Sequence, residues 1–425
     1  MAAFCYELSF KKRFEFRAPK MLNTTILRSL SSSVRLRMYL MEATTGRYYC
    51  MQAQSRSNFI NYYRIRSKQL SRTLSTIHKD FKPDVFAEES RQLMAIFPEI
   101  QRNVAEITDA IDPVTTSSWI TRSLEYNVPH GNKYRGILTV QAYKSLVASQ
   151  NVTPEMIKLS YILGWCVEML NSFFLIYDDL MDGSLKRRSR ICWHNLQDVG
   201  VTAVNDVILL ENMTYALLKK YFHKSQGYVK IMELFHETIY ITACGQCMDV
   251  LNGRKSIMEL TAEKYRVMTH NKTAFHAFYF PVAVAMQLAG VKDQQYFKQA
   301  HDIAMEFGYY FQVQNDYLDC YGKPEKSGKI GTDIENNKLS WLALECLRLA
   351  NDDQKRIMKE CYGKNDPQMV ERVKQLYKDL KLTTLYVAYE EETYARIKTL
   401  IEKLSSCPFY DIYLQMLNKI HRRER

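Results

Sequence analysis

Two acidic clusters lie far apart in the chain, Asp178-Asp179-Leu180-Met181-Asp182 and Asn315-Asp316-Tyr317-Leu318-Asp319, and both have the spacing of a clamp for a divalent metal and a diphosphate. On a helix, Asp178 and Asp182 point the same way, because residues four apart share a face. Asp179 widens that acidic edge. Hard carboxylate oxygens suit Mg²⁺, which also takes oxygens from substrate phosphates. Lys186, Arg187 and Arg188 follow directly, and adjacent guanidinium forks hold phosphate oxygens by charge-assisted hydrogen bonds. A solvated acidic helix face followed by a basic turn would carry the same letters. The run Phe173-Phe174-Leu175-Ile176-Tyr177 just before Asp178 argues against that plainer reading. Acids at the mouth of an apolar pocket suit a lipid diphosphate.

The elements that must position these groups read as helices. From about residue 81, Gly and Pro are sparse and no sustained alternating pattern appears. The runs Tyr161 to Met181, Ile231 to Leu251 and His301 to Tyr321 are long, apolar and free of Pro, which predicts helices buried in a bundle. Residues 322–337 are polar and rich in Gly, as in a loop. No apolar run reaches the roughly 18–20 residues of a membrane span. The best stretch, Trp165 to Tyr177, is broken by Glu168 and Asn171.

The net charge of +12 would suit a nucleic-acid or membrane partner, but its distribution speaks against nucleic acid. Residues 1–78 hold 14 Lys/Arg and 3 Asp/Glu, leaving 44 and 43 for the remainder. The basic excess therefore belongs to residues 1–80, a segment rich in Arg, Ser and Leu, with Leu22, Ile26, Leu30 and Val34 on one stripe. That composition predicts a transit peptide and a mitochondrial address; a basic tail on a cytoplasmic protein is the alternative. Residues 81–425 then form the catalytic domain. Ten scattered cysteines form no framework, so free thiols are expected. Cys244 and Cys247 read as two packed helix residues.

Asp178 to Trp193, "DDLMDGSLKRRSRICW", strongly resembles the first aspartate-rich region of farnesyl diphosphate synthases. So do Asn271 to Pro281, Phe311 to Gly322 and Gly328 to Trp341. The resemblance implies an all-α isoprenoid synthase bundle around a central cavity, with the two acidic motifs opposed across its mouth. It implies a homodimer, a prenyl diphosphate substrate and Mg²⁺, about three ions. Carried over by motif, Asp178, Asp182 and Asn315 bind the metal, with Asp179, Asp316 and Asp319 in support. Arg187, Lys272 and Lys329 hold the departing diphosphate. Gln246, Asp249, Thr273 and Gln312 line the cavity, Lys338 sits in the closing loop, and Phe173 and Phe174 form its floor.

Some positions depart from that pattern. A chain-elongating synthase holds its second substrate, isopentenyl diphosphate, through Gly-Lys-x-x-Arg, a Gln, and the second Arg after the first acidic motif. This chain keeps Arg135 and Arg188. It reads Gly131-Asn132-Lys133-Tyr134-Arg135, displacing the lysine by one, and carries Asn171 where Gln is expected. On a helix one residue of displacement rotates a side chain by about 100°. Asn315 stands where Asp is usual, as in the second metal motif of terpene cyclases. Together these changes predict a divergent member resembling insect-type terpene synthases derived from that family, one that ionises and cyclises farnesyl diphosphate to a sesquiterpene. A farnesyl or geranyl diphosphate synthase is the alternative, and a non-catalytic partner subunit of a prenyltransferase the third.

Overall fold

The computed structural model describes residues 36–41, 48–53, 85–147, 152–323, 328, 331–404 and 408–423. Within residues 1–59, strands β1 (Leu36–Met41) and β2 (Tyr48–Ala53) pair antiparallel, Leu36 opposite Ala53. The helical stripe expected over residues 22–34 lies outside the described residues.

The remaining unit is the expected isoprenoid synthase helical bundle. Its first half comprises α1 (Val85–Asp109), α2 (Thr116–Asn127), α3 (Tyr134–Leu146), α4 (Pro154–Asp182), α5 (Ala203–Phe222) and α6 (Tyr228–Gly253). Next come α7 (Ala262–Thr269), a π-helical segment His270–Tyr279, α8 (Phe280–Leu288) and α9 (Gln294–Tyr321). Five further helices follow: α10 (Trp341–Leu349), α11 (Asp352–Cys361), α12 (Pro367–Asp379), α13 (Leu382–Glu402) and α14 (Tyr410–Ile420). A two-residue pair, β3 (Lys186–Arg187) with β4 (Arg190–Ile191), follows α4.

The three long apolar runs fall inside α4, α6 and α9 as expected. Helix α4 starts on Thr153, whose side chain accepts from the Met156 N–H, with Pro154 in the first turn where its missing N–H costs nothing. It stops at Gly183, in the left-handed conformation at φ 60°. Contrary to the sequence reading, α4 is long and apolar enough to cross a membrane. Its apolar surface is spent elsewhere: Trp165, Leu163, Val167 and Met169 are fully buried in the main core. A second core gathers Tyr265, Trp341, Leu342, Val373 and Tyr386 around the end of α9. Seven cysteines among the described residues are free thiols, and Cys244 and Cys247 are ordinary residues of α6.

Three close approaches set the helices that carry the site. Gly136 of α3 meets Gly164 of α4, where a Cβ would stand 2.9 Å from a backbone oxygen. That contact lets the Glu168 carboxylate accept from the Gly136 N–H at 2.8 Å. Gly245 of α6 packs on the backbone of Lys272, and Gly308 of α9 packs on Ala274, so glycines grip the π-helical segment from both flanks.

Candidate active site

The first acidic motif occupies the last turns of α4. Carboxylates are disfavoured there by about 0.3–1 kcal/mol, because the helix dipole is negative at that end. Basic side chains from three other places offset this. Arg187 of β3 donates through Nε to Asp179 at 2.7 Å and through Nη2 to Asp178 at 3.0 Å. Lys272, from the π-helical segment, donates to Asp178 at 3.0 Å and to Asp249 of α6 at 2.7 Å. Lys338 reaches Asp182 at 2.8 Å and Asp249 at 2.7 Å. Burial pushes the Asp178 carboxyl up, but Lys272 and Arg187 outweigh it and hold it below the usual range. Asp182 is pushed up, by burial and then by the Asp178 charge. Burial would lower the Lys272 ammonium, yet Asp178 and Asp249 raise it.

These groups surround a cavity of about 260 Å³. Asp178, Asp182, Asn315 and Asp316 all reach it, so both acidic motifs face one space. Arg135, Arg187, Gln246, Asp249, Lys272, Thr273, Gln312 and Lys338 line it too, as does Phe174. Phe173 packs edge-on against Phe174 and stacks on Tyr177 behind that wall. Lys329 lies outside the described residues.

Other expected site residues go elsewhere. Asp179 is buried and lines a separate small pocket with Arg187, Arg188 and Tyr126. Asp316 is built into the packing: it accepts from Tyr265 Oη and the Trp341 N–H, both at 2.7 Å, and from Gln312 Nε2 at 2.8 Å. Gln312 in turn accepts from the Thr273 hydroxyl at 2.8 Å. Burial raises the Asp316 carboxyl to about 6 despite those bonds. Asp319 accepts from the Asp333 N–H at 3.0 Å.

Among the described residues no three carboxylate, imidazole or thiolate groups converge into a ready-made metal cage. Mg²⁺ does not need one, since it is bound through one or two carboxylates plus substrate phosphates. Asp178 and Asp182, hard oxygen donors facing one cavity and flanked by Arg187, Lys272 and Lys338, fit that requirement.

The region around the displaced lysine corrects the rotation argument. Residues 131–133 precede α3, so helical geometry does not apply to them. Lys133 takes the left-handed conformation at φ 49°. It is buried while Asn132 is exposed. Its ammonium donates to the Gly131 carbonyl at 3.0 Å and is lowered by burial, with Glu168 and Arg188 close enough to act on it. Arg188 crosses directly over Gly131, where a Cβ would meet its Nε at 2.6 Å. Arg188 and Ser189 are both left-handed, at φ 53° and 63°, a strain of about 1–2 kcal/mol each. Asn171 is buried beside Glu168, with Oδ1 lacking a partner. The displacement therefore leaves a buried cation next to Arg188 and Arg135.

Sequence reasoning missed Lys133, Asp333, His276 and Arg423. Asp333 and His276 line the cavity. Arg423 touches Asn315. Lys133, His276 and Asp333 lie inside stretches already singled out, Gly131 to Arg135, Asn271 to Pro281 and Gly328 to Trp341, whereas Arg423 is brought to Asn315 by the fold alone.

The profile described as "Polyprenyl synthetase" matches residues 117–380. A protein named farnesyl pyrophosphate synthase in Nezara viridula is 38% identical over 338 residues, covering 80% of this chain and 83% of its own length. Its namesake in Mus musculus is 40% identical over 343 residues, covering 80% and 96%. That in Panax ginseng is 42% identical over 310 residues, covering 72% and 90%. These names, all of chain-elongating synthases, overturn the expectation of a cyclase, and the buried Lys133 removes one of its physical premises. Shared sequence across most of the chain, and both acidic motifs on one cavity in a helical bundle, place this protein in the polyprenyl synthetase family.

Proposed function

We propose that this protein is a Mg²⁺-dependent farnesyl or geranyl diphosphate synthase, joining an allylic diphosphate to isopentenyl diphosphate. The observation that carries this reading is the set of three cations, Arg187, Lys272 and Lys338, converging with Asp178 and Asp182 on one cavity. The C–O bond of the allylic substrate breaks and its electrons leave with the diphosphate. The isopentenyl double bond attacks the allylic carbon, and loss of a proton restores a double bond in the elongated product. Asp178 and Asp182 would hold Mg²⁺, which when bound would supply Lewis acidity toward the diphosphate. Arg187 and Lys272 stabilise the charge that develops there. Lys133, Arg135 and Arg188 hold the second diphosphate, and Phe174 bounds the growing chain.

The test is incubation of purified protein with Mg²⁺, isopentenyl diphosphate and either dimethylallyl or geranyl diphosphate. A ten- or fifteen-carbon prenyl diphosphate is the expected product. Folded protein that forms no elongated product from either primer rejects the reading.

Two further assignments belong with it. Residues 1–80 act as a mitochondrial transit segment, supported by their Arg-rich, acid-poor composition. Import of a reporter fused to them tests this, and a cytosolic reporter rejects it. The enzyme works as a homodimer, supported by Val201, Val204 and Ile208, which leave an exposed apolar face at and before the start of α5. Light scattering checks the mass.

A further inference from the structure

We infer that Asn315 is a hydrogen-bond donor to the bound diphosphate and not a metal ligand, and that Arg423 sets this role by holding the carboxamide oxygen. The inference rests on the diphosphate chemistry proposed above and assigns what the second acidic motif contributes to it.

Arg423 follows α14, and its guanidinium is enclosed against α9. It lies over the Phe311 ring at 3.7 Å. Its Nε donates to Gln314 Oε1 at 2.8 Å. Its Nη2 donates to the Phe311 carbonyl at 3.1 Å and also to Asn315 Oδ1. A guanidinium has only donors. The Asn315 atom that faces it is therefore the oxygen, and the planar amide turns its nitrogen away from Arg423. Asn315 lines the cavity and Arg423 does not. The part of the amide left for a ligand in the cavity is the NH₂ group.

That group suits an anion. An amide N–H donates to a charged phosphate oxygen in a charge-assisted bond. A metal ion would need the oxygen, which already bears a guanidinium, and two cations on one neutral oxygen repel each other. An aspartate at 315 would pair with Arg423 and offer the cavity no donor. The neighbouring acids are engaged as well: Asp316 accepts three hydrogen bonds, and Asp319 accepts from the Asp333 N–H. Metal binding thus falls to Asp178 and Asp182, and position 315 reads the anion.

The experiment is calorimetric titration of the purified protein with inorganic pyrophosphate, with and without Mg²⁺. Without Mg²⁺, Asn315→Ala should weaken pyrophosphate binding about tenfold. Asn315→Asp should weaken it further through like-charge repulsion. Asn315→Ser keeps a donor and should recover part of the affinity, which also serves if the alanine variant does not fold. Arg423→Gln frees the amide to turn over and should lower metal-free binding severalfold. The Mg²⁺ concentration giving half-maximal enhancement should stay unchanged in Asn315→Ala. If Asn315→Ala binds metal-free pyrophosphate as the wild type does but needs more Mg²⁺, the residue is a metal ligand and the inference is overturned. Wild-type protein that binds no pyrophosphate under either condition overturns the diphosphate reading itself, a failure visible before any variant is made.

Discussion

In the first acidic motif, Asp178 and Asp182 face the cavity and are met by Arg187, Lys272 and Lys338 from other elements. In the second, Asp316 is tied between α7, α9 and α10 by Tyr265, Gln312 and the Trp341 backbone. Both motifs sit in the last turns of a helix, where the dipole disfavours carboxylates. The first meets that cost with cations that a substrate anion can take over. The second meets it with an uncharged Asn at 315 and, at Asp316, with hydrogen bonds that are part of the packing. One motif is kept available for chemistry, and the other holds the wall in place.

Breaking each motif in turn should separate the two roles. Asp178→Asn should lower the condensation rate by on the order of 10²–10³-fold, a loss comparable to removing one preorganised charge-stabilising group. Asp316→Asn should do the reverse: destabilisation of about 1–3 kcal/mol in urea unfolding, from a buried donor or acceptor left unpaired, with activity per folded molecule largely kept. A variant Asp316→Asn that unfolds normally but is inactive would collapse the distinction.

The second-substrate pocket sharpens the comparison. Lys133→Ala should raise the KM for isopentenyl diphosphate about tenfold or more, since hydrogen bonds to charged groups contribute about 1.5–3 kcal/mol. The KM for the allylic primer should not move, and Asn132→Ala should change neither constant. A shift confined to Asn132→Ala would restore the reading that the displaced lysine is lost to the site.

The smallest effect is in the pH dependence of stability without metal. Asp178 is held below the usual carboxylate range, so its contribution is present above that range and is lost as the pH falls through the folded value. Asp316 has the opposite sign. Its folded value is raised from 3.8 to about 6, so its contribution is full below 3.8 and lost as the pH rises through about 6. Urea unfolding from pH 3 to 8 should show Asp178→Asn flattening the acid limb. Asp316→Asn should remove a decline between about pH 4 and 6.

Much of this was legible in the chain. The long apolar runs without Pro marked α4, α6 and α9, and the spacing of Asp178 and Asp182 put both on one face. Local patterns misled where the backbone left helical geometry. The displaced Lys133 looked lost to the site because a helical rotation was assumed, yet a left-handed residue ahead of α3 buries its side chain. The second motif looked like a metal site because its letters match the first. Spacing alone does not show that Asp316 and Asp319 spend their oxygens on neighbours. Arg423 is separated from Asn315 by 108 residues, and only the return of α14 toward α9 joins them.

The glycine contacts around the π-helical segment have a mechanical consequence. With backbone against backbone at Gly245 and only the Ala274 methyl group facing Gly308, these two contacts leave little side chain to compress. Lys272 is therefore a fixed post. Lys338 shares the Asp249 carboxylate with Lys272 but reaches it, and Asp182, from outside the long helices. The two neighbouring cations therefore belong to differently anchored parts of the chain. A substitution that stiffens the residues around Lys338 should slow product release, whereas one that loosens Gly245 should unseat the post.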